Sequence, residues 1–174
     1  MVLDDRLKKL AAGISAQKAA RALARSMRPE QELTALEHSQ AEEFRATLEA
    51  MFLMAAVDGQ VSDEELSQLR ASIHAIADMH TTDELNLDHV LDELNEALAR
   101  DGWRARLATV AERLRTDDAK AFAFKLAAGV AFVDDEVAHA EAAAIEVFAG
   151  ALGLSSDESQ QILREVHQEL FGAD

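Results

Sequence analysis

Apolar residues recur along this chain at helical spacing almost from end to end. Leu3, Leu7, Leu10 and Ile14 are separated by four, three and four positions, which places them on one face of a helix. Ala19, Ala20, Leu23 and Met27 continue a weaker stripe, with Gly13 and Ser15 dividing the two, and Pro29 suits a first helical position. Ser39-Gln40-Ala41-Glu42 reads as a capping box that opens a helix through Phe44, Leu48, Met51, Phe52 and Ala55. Asp58-Gly59 is a turn signal that stops it. Ser62-Asp63-Glu64-Glu65 is a second box, followed by Leu66, Leu69, Ile73 and Ile76 on one face. Thr81-Thr82-Asp83-Glu84 starts a segment whose apolar face is Leu87, Val90, Leu91, Leu94 and Leu98, and Asp101-Gly102 ends it. Trp103, Leu107, Val110 and Leu114 outline the next helix. Thr116-Asp117-Asp118 caps the one after, which runs through Phe122, Phe124, Leu126, Val130 and Phe132. Ile145, Phe148 and Leu152 share a face that Gly153 breaks. Ser155-Ser156-Asp157-Glu158 then caps a last helix carrying Ile162, Leu163, Val166 and Leu170. The expectation is an all-α, single-domain bundle of about eight helices with short connections.

Composition supports that reading. The chain has 174 residues, 49% of them apolar, which suffices for one sizeable core. One Pro, seven Gly, no Tyr and few Val or Ile argue against sheet. The absence of Cys excludes disulfides, thiolate metal sites and cysteine catalysis, so any metal must bind through oxygen or imidazole. No 18-residue apolar run and no signal-peptide core is present, and a cytoplasmic location is the expectation. The net charge of −16 is uneven: residues 1–30 carry +4 and the remainder −20. Such a body repels nucleic acid and suits cations or a basic protein partner. The basic segment 1–38 either touches an anionic surface, such as a membrane, or docks on the acidic body as a core helix. The four-residue stripe at its start favours docking.

One pattern stands out against this helical background. Ala55-Ala56-Val57-Asp58-Gly59-Gln60-Val61-Ser62-Asp63-Glu64-Glu65 has a counterpart in Ala131-Phe132-Val133-Asp134-Asp135-Glu136-Val137-Ala138-His139-Ala140-Glu141. Asp58 and Asp134 are 76 positions apart, as are Glu65 and Glu141, and Val57/Val133, Val61/Val137 and Leu69/Ile145 keep the offset. A constant offset implies two related helical repeats, approximately 39–100 and 116–174, each carrying an acidic loop between helices. The first loop aligns in part with an EF-hand: Asp58 at position five, Gly59 at six, Ser62 at nine and Glu65 at twelve. Positions one and three would be Met54 and Ala56, which bring no ligand, so neither loop is a regular EF-hand. Brought together, Asp58, Glu65, Asp134 and Glu141 would form a carboxylate set suited to a hard cation, Ca²⁺ or Mg²⁺. A purely structural reading stands beside that one. Glu65 can complete its own capping box with Ser62, and Asp58 can shape the turn before Gly59. Ala138 replaces the cap serine in the second copy, so Glu141 has no such box to complete. Glu136-x-x-His139 has the spacing of a di-iron bundle motif, but such bundles need two and the chain has one.

The residues Ala55–Leu69 and Ala131–Glu158, with the Leu152-Gly153-Leu154 helix end and the Ser155-x-x-Glu158 that follows, carry a resemblance. They resemble the TerB-like family of tellurite-resistance-associated proteins, and the related domain at the front of certain membrane-bound DnaJ-like co-chaperones. The likeness covers roughly residues 40–170, so that 39–174 is the expected TerB-like domain. It implies an all-helical fold, with divalent-cation binding at Asp58, Glu65, Asp134 and Glu141. The second loop departs from the first at Asp135, where the first has Gly59, and at Ala138, where it has Ser62.

Three function classes follow. The leading expectation is a non-enzymatic, stress-response-associated module that binds a divalent cation and acts through a protein partner. The alternative is a metal-free interaction domain whose acidic loops receive a basic partner. An enzyme using paired carboxylates as general acid and base comes third, since it needs a pocket in which one carboxylate has a raised pKa.

Overall fold

The computed structural model describes residues 22–27, 32–57, 63–76, 87–131 and 139–171. Among these every regular element is a helix: α1 (Ala35–Ala55), α2 (Asp63–Ile76), α3 (Leu87–Asp101), α4 (Trp103–Arg113), α5 (Asp117–Ala131), α6 (His139–Ala151) and α7 (Ser156–Phe171). A short helical segment at 22–26 precedes them. The all-α expectation holds.

α1 organises the bundle. It packs against α2, α3, α4, α5 and α6, most extensively against α5. Its C-terminal half is buried on every side, from Ala46 without a break to Met54. The helical stripe of Phe44, Leu48, Met51 and Phe52 therefore understates it: a helix apolar all round belongs at the centre of a core. α1 opens a turn earlier than Ser39. Thr34 is its N-cap: its hydroxyl accepts the Glu37 amide at 3.1 Å, and the Glu37 carboxylate accepts the Thr34 amide at 3.2 Å. Thr34-x-x-Glu37 and Ser39-x-x-Glu42 have the same sequence form. The upstream box prevails because it adds a turn of backbone bonds, beginning with His38 N–H to the Thr34 carbonyl, and because Arg25 pairs with Glu37.

α5 brings Ala123, Phe124, Leu126, Ala127, Ala128, Gly129 and Ala131 to the centre. Its small side chains let the α1 and α5 backbones approach closely. The start of α5 lies level with Glu43, since Thr116 Oγ1 is 3.4 Å from Glu43 Oε2 and Arg115 is 3.3 Å from Glu42. The buried part of α5 matches the buried part of α1 beyond Glu43, so the two helices run in the same direction. Phe124 meets Phe148 of α6 with ring centroids 5.9 Å apart at 57°, a tilted aromatic contact. α7 covers α5 through the fully buried Val166. α3 buries the whole stripe read from its spacing, Leu87, Val90, Leu91, Leu94 and Leu98. Ala22, Leu23 and Ala24 of the N-terminal region also join the core. The positions Leu3, Leu7, Leu10 and Ile14 lie outside the described residues.

Four sequence signals recur as geometry. Gly102 separates α3 from α4 in a left-handed conformation, φ 87°. Thr116 caps α5 by accepting the Ala119 amide at 3.1 Å. Gly153, φ 74°, closes α6: its amide reaches the Gly150 carbonyl at 3.1 Å and that of Leu154 reaches Ala149 at 3.0 Å. Those two bonds are the Schellman pattern, in which glycine takes the left-handed position at no steric cost. Ser155 and Glu158 then form a reciprocal capping box for α7, at 2.9 and 3.1 Å. The box at Ser62 and the segment from Thr81 lie outside the described residues.

Candidate functional site

The acidic segments follow the two innermost helices. α1 precedes the first acidic segment and α5 the second, and α2 and α6 follow them. Because α1 and α5 run the same way, the chain leaves both at the same end of the bundle. Asp58 and Asp134 themselves fall in 58–62 and 132–138, outside the described residues. Glu65 lies in α2 and Glu141 in α6. Glu65 is exposed in a first turn that also holds Asp63 and Glu64, where the positive end of the helix dipole favours carboxylates. The Glu141 side chain lies outside what is described. Among the described residues, no three carboxylate or imidazole side chains converge as a metal centre.

The end of α1 is held by a contact that the sequence did not announce. Trp103 at the start of α4 donates its indole N–H to the Leu53 carbonyl at 2.7 Å. Leu53 is in the last turn of α1, where carbonyls lack the usual partner four residues on, and it also accepts the Ala56 amide at 3.2 Å. The only Trp of the chain thus grips the turn that leads into the first acidic segment.

A second polar feature lies deeper. Glu49, 1% exposed, sits amid the apolar half of α1. Arg106 of α4, 9% exposed, meets it side-on, Nε to Oε1 at 2.7 Å and Nη2 to Oε2 at 3.0 Å. The remaining terminal nitrogen of Arg106 donates to Asp101 at 3.1 Å, and Asp101 also takes Arg100 at 3.0 and 3.1 Å. The hydrogen bonds that Arg106 donates to Glu49 raise its pKa above the ordinary value against the opposing effect of burial. Asp101 is held below the usual carboxylate range, first by the Arg100 hydrogen bond and then by that of Arg106. This network ties α1, the end of α3 and α4 together. Two signals in the sequence could have located it: a charge inside the run Ala46–Met54, and an arginine on the same helical face as Trp103, Leu107 and Val110.

An all-α bundle with two central helices, α1 and α5, each followed in the sequence by an acidic segment, describes a helical scaffold. Residues 44–164 match the family described as tellurite resistance protein TerB, and the chain belongs to that family. No curated protein and no solved structure matches it. Among the described residues no helix is long and apolar enough to cross a membrane.

Proposed function

We propose that this chain is a non-enzymatic helical module of a tellurite-resistance-associated stress response. It binds Ca²⁺ or Mg²⁺ between duplicated acidic loops, through Asp58, Glu65, Asp134 and Glu141, and passes that state to a protein partner in the cytoplasm. The observation that carries the reading is the shared register of the two halves. The acidic segments keep a 76-residue offset in the sequence, and α1 and α5, which precede them, point the same way. This supports an origin by duplication and a joint site for the two acidic segments. Unneutralised carboxylates gathered there repel by roughly 1 kcal/mol per pair at 4 Å in water, and more where water is excluded. A hard cation removes that cost and favours oxygen ligands over sulfur or nitrogen.

Calorimetric titration of chelator-treated protein with Ca²⁺, Mg²⁺ and Zn²⁺ tests it, with Trp103 fluorescence as a second reporter. Saturable heat with Ca²⁺ or Mg²⁺ is expected. A change in Trp103 emission should accompany it, because the indole is bonded to the turn before the first loop. Silence with all three metals would replace the cation reading by that of a metal-free docking surface for a basic partner.

A further inference from the structure

Among the described residues, a pocket rich in guanidinium groups lies between three helices. It has a volume of about 260 Å³ and is lined by Arg45 of α1, Glu93, Glu96 and Arg100 of α3, and Arg106 and Arg113 of α4. Four arginines from three helices share this wall with the carboxylates of Glu93 and Glu96. The wall holds them unequally. Arg45 pairs with Glu93. Arg106 is immobilised by Glu49 and Asp101, which take three of its five N–H groups and leave one on each terminal nitrogen. Arg113 is half-buried and has no ion-pair partner among the described residues. The pocket wall therefore includes one rigid guanidinium with two spare donors and one guanidinium without an ion-pair partner among the described residues, both on α4.

We propose that this pocket binds a small tetrahedral oxyanion of the phosphate type, with Arg113 and the spare donors of Arg106 as its principal ligands. The planar fork of a guanidinium matches two oxygens of such an anion at once, which a lysine would not do. Arg106 comes preorganised, because Glu49 holds it from behind at 2.7 and 3.0 Å. Arg100 adds charge at the mouth, where it is tethered to Asp101. Glu96 is exposed in the same wall and opposes an anion, so the site is tuned for weak, salt-sensitive capture. The site shares no residue with the acidic loops and does not depend on the cation reading.

The test is calorimetric titration of the full chain with inorganic phosphate and, separately, with a small phosphomonoester. Saturable binding of either is expected; the arm that binds tells whether the pocket holds the free ion or a phosphate on a larger molecule. Arg113→Gln should weaken binding about tenfold, the worth of one charge-assisted contact, with the helical circular dichroism unchanged. Glu96→Gln should tighten it, an effect with the opposite sign that general damage to the fold cannot produce. Absence of saturable heat with both probes, or equal affinity in the wild type and Arg113→Gln, would overturn the proposal.

Discussion

Replacing Arg106 with Met probes the interior of the bundle where a charge is most costly. Glu49 is 1% exposed and receives two hydrogen bonds from Arg106, at 2.7 and 3.0 Å. Methionine fills much of the arginine volume but leaves the carboxylate buried without a counter-charge. Breaking one side of a buried ion pair costs about 3–5 kcal/mol. A domain of this size has a net stability of about 5–15 kcal/mol, so the single variant loses a large share of it. With a urea slope of about 2 kcal/mol/M, the unfolding midpoint should fall by roughly 2 M. Glu49→Leu should cost less, about 1–2 kcal/mol, because Arg106 keeps Asp101 and lies nearer the surface. The double variant Glu49→Leu/Arg106→Met removes both charges and should return to within about 1 kcal/mol of the wild type, since an apolar replacement of a buried pair is often neutral or stabilising. Urea unfolding of all four proteins, followed by far-ultraviolet circular dichroism, closes the cycle. A cost below about 1 kcal/mol for Arg106→Met, or a double variant as unstable as the sum of the singles, would refute the reasoning.

Trp103→Phe keeps the ring packing and removes the donor to Leu53; it should cost about 1 kcal/mol in chemical denaturation, and hydrogen exchange should rise selectively at the end of α1. Gly153→Ala places a Cβ at φ 74° in open space, so the cost is conformational and should be about 1 kcal/mol, seen as a lowered Tm without a change in helix content. Asp101 ionises below its unfolded value of about 3.9. Its contribution to stability is therefore present above that pH and lost as the pH falls through the folded value. The urea midpoint should decline on acidification below about pH 4, and Asp101→Asn should make that decline shallower.

Much of the fold was legible in the spacing of apolar residues. The α3 stripe Leu87, Val90, Leu91, Leu94 and Leu98 is buried in full, and the stops at Gly102 and Gly153 lie where the left-handed residues are. α1 was harder to read. A helix buried on all sides has no polar face to contrast with, so its stripe looks ordinary. Its start was displaced because Thr34-x-x-Glu37 and Ser39-x-x-Glu42 are equivalent patterns, and only tertiary contacts such as Arg25–Glu37 choose between them. For the candidate site, the offset between the acidic segments could be read directly, because it is a relation within the sequence. The Glu49–Arg106 pair could not, because its partners are 57 positions apart and meet only once α1 and α4 pack. The same holds for Arg45, Arg100, Arg106 and Arg113, which are scattered along the chain and share a wall only in the folded bundle.

The joint action of the two acidic segments can be decided by Ca²⁺ calorimetry on the wild type, Asp58→Asn, Asp134→Asn and the double variant. A cation held between the segments predicts that either single substitution abolishes most of the binding heat, while the metal-free protein is as stable as before or more so. Unchanged Ca²⁺ binding in the double variant, or loss of stability with no change in the metal response, would contradict it.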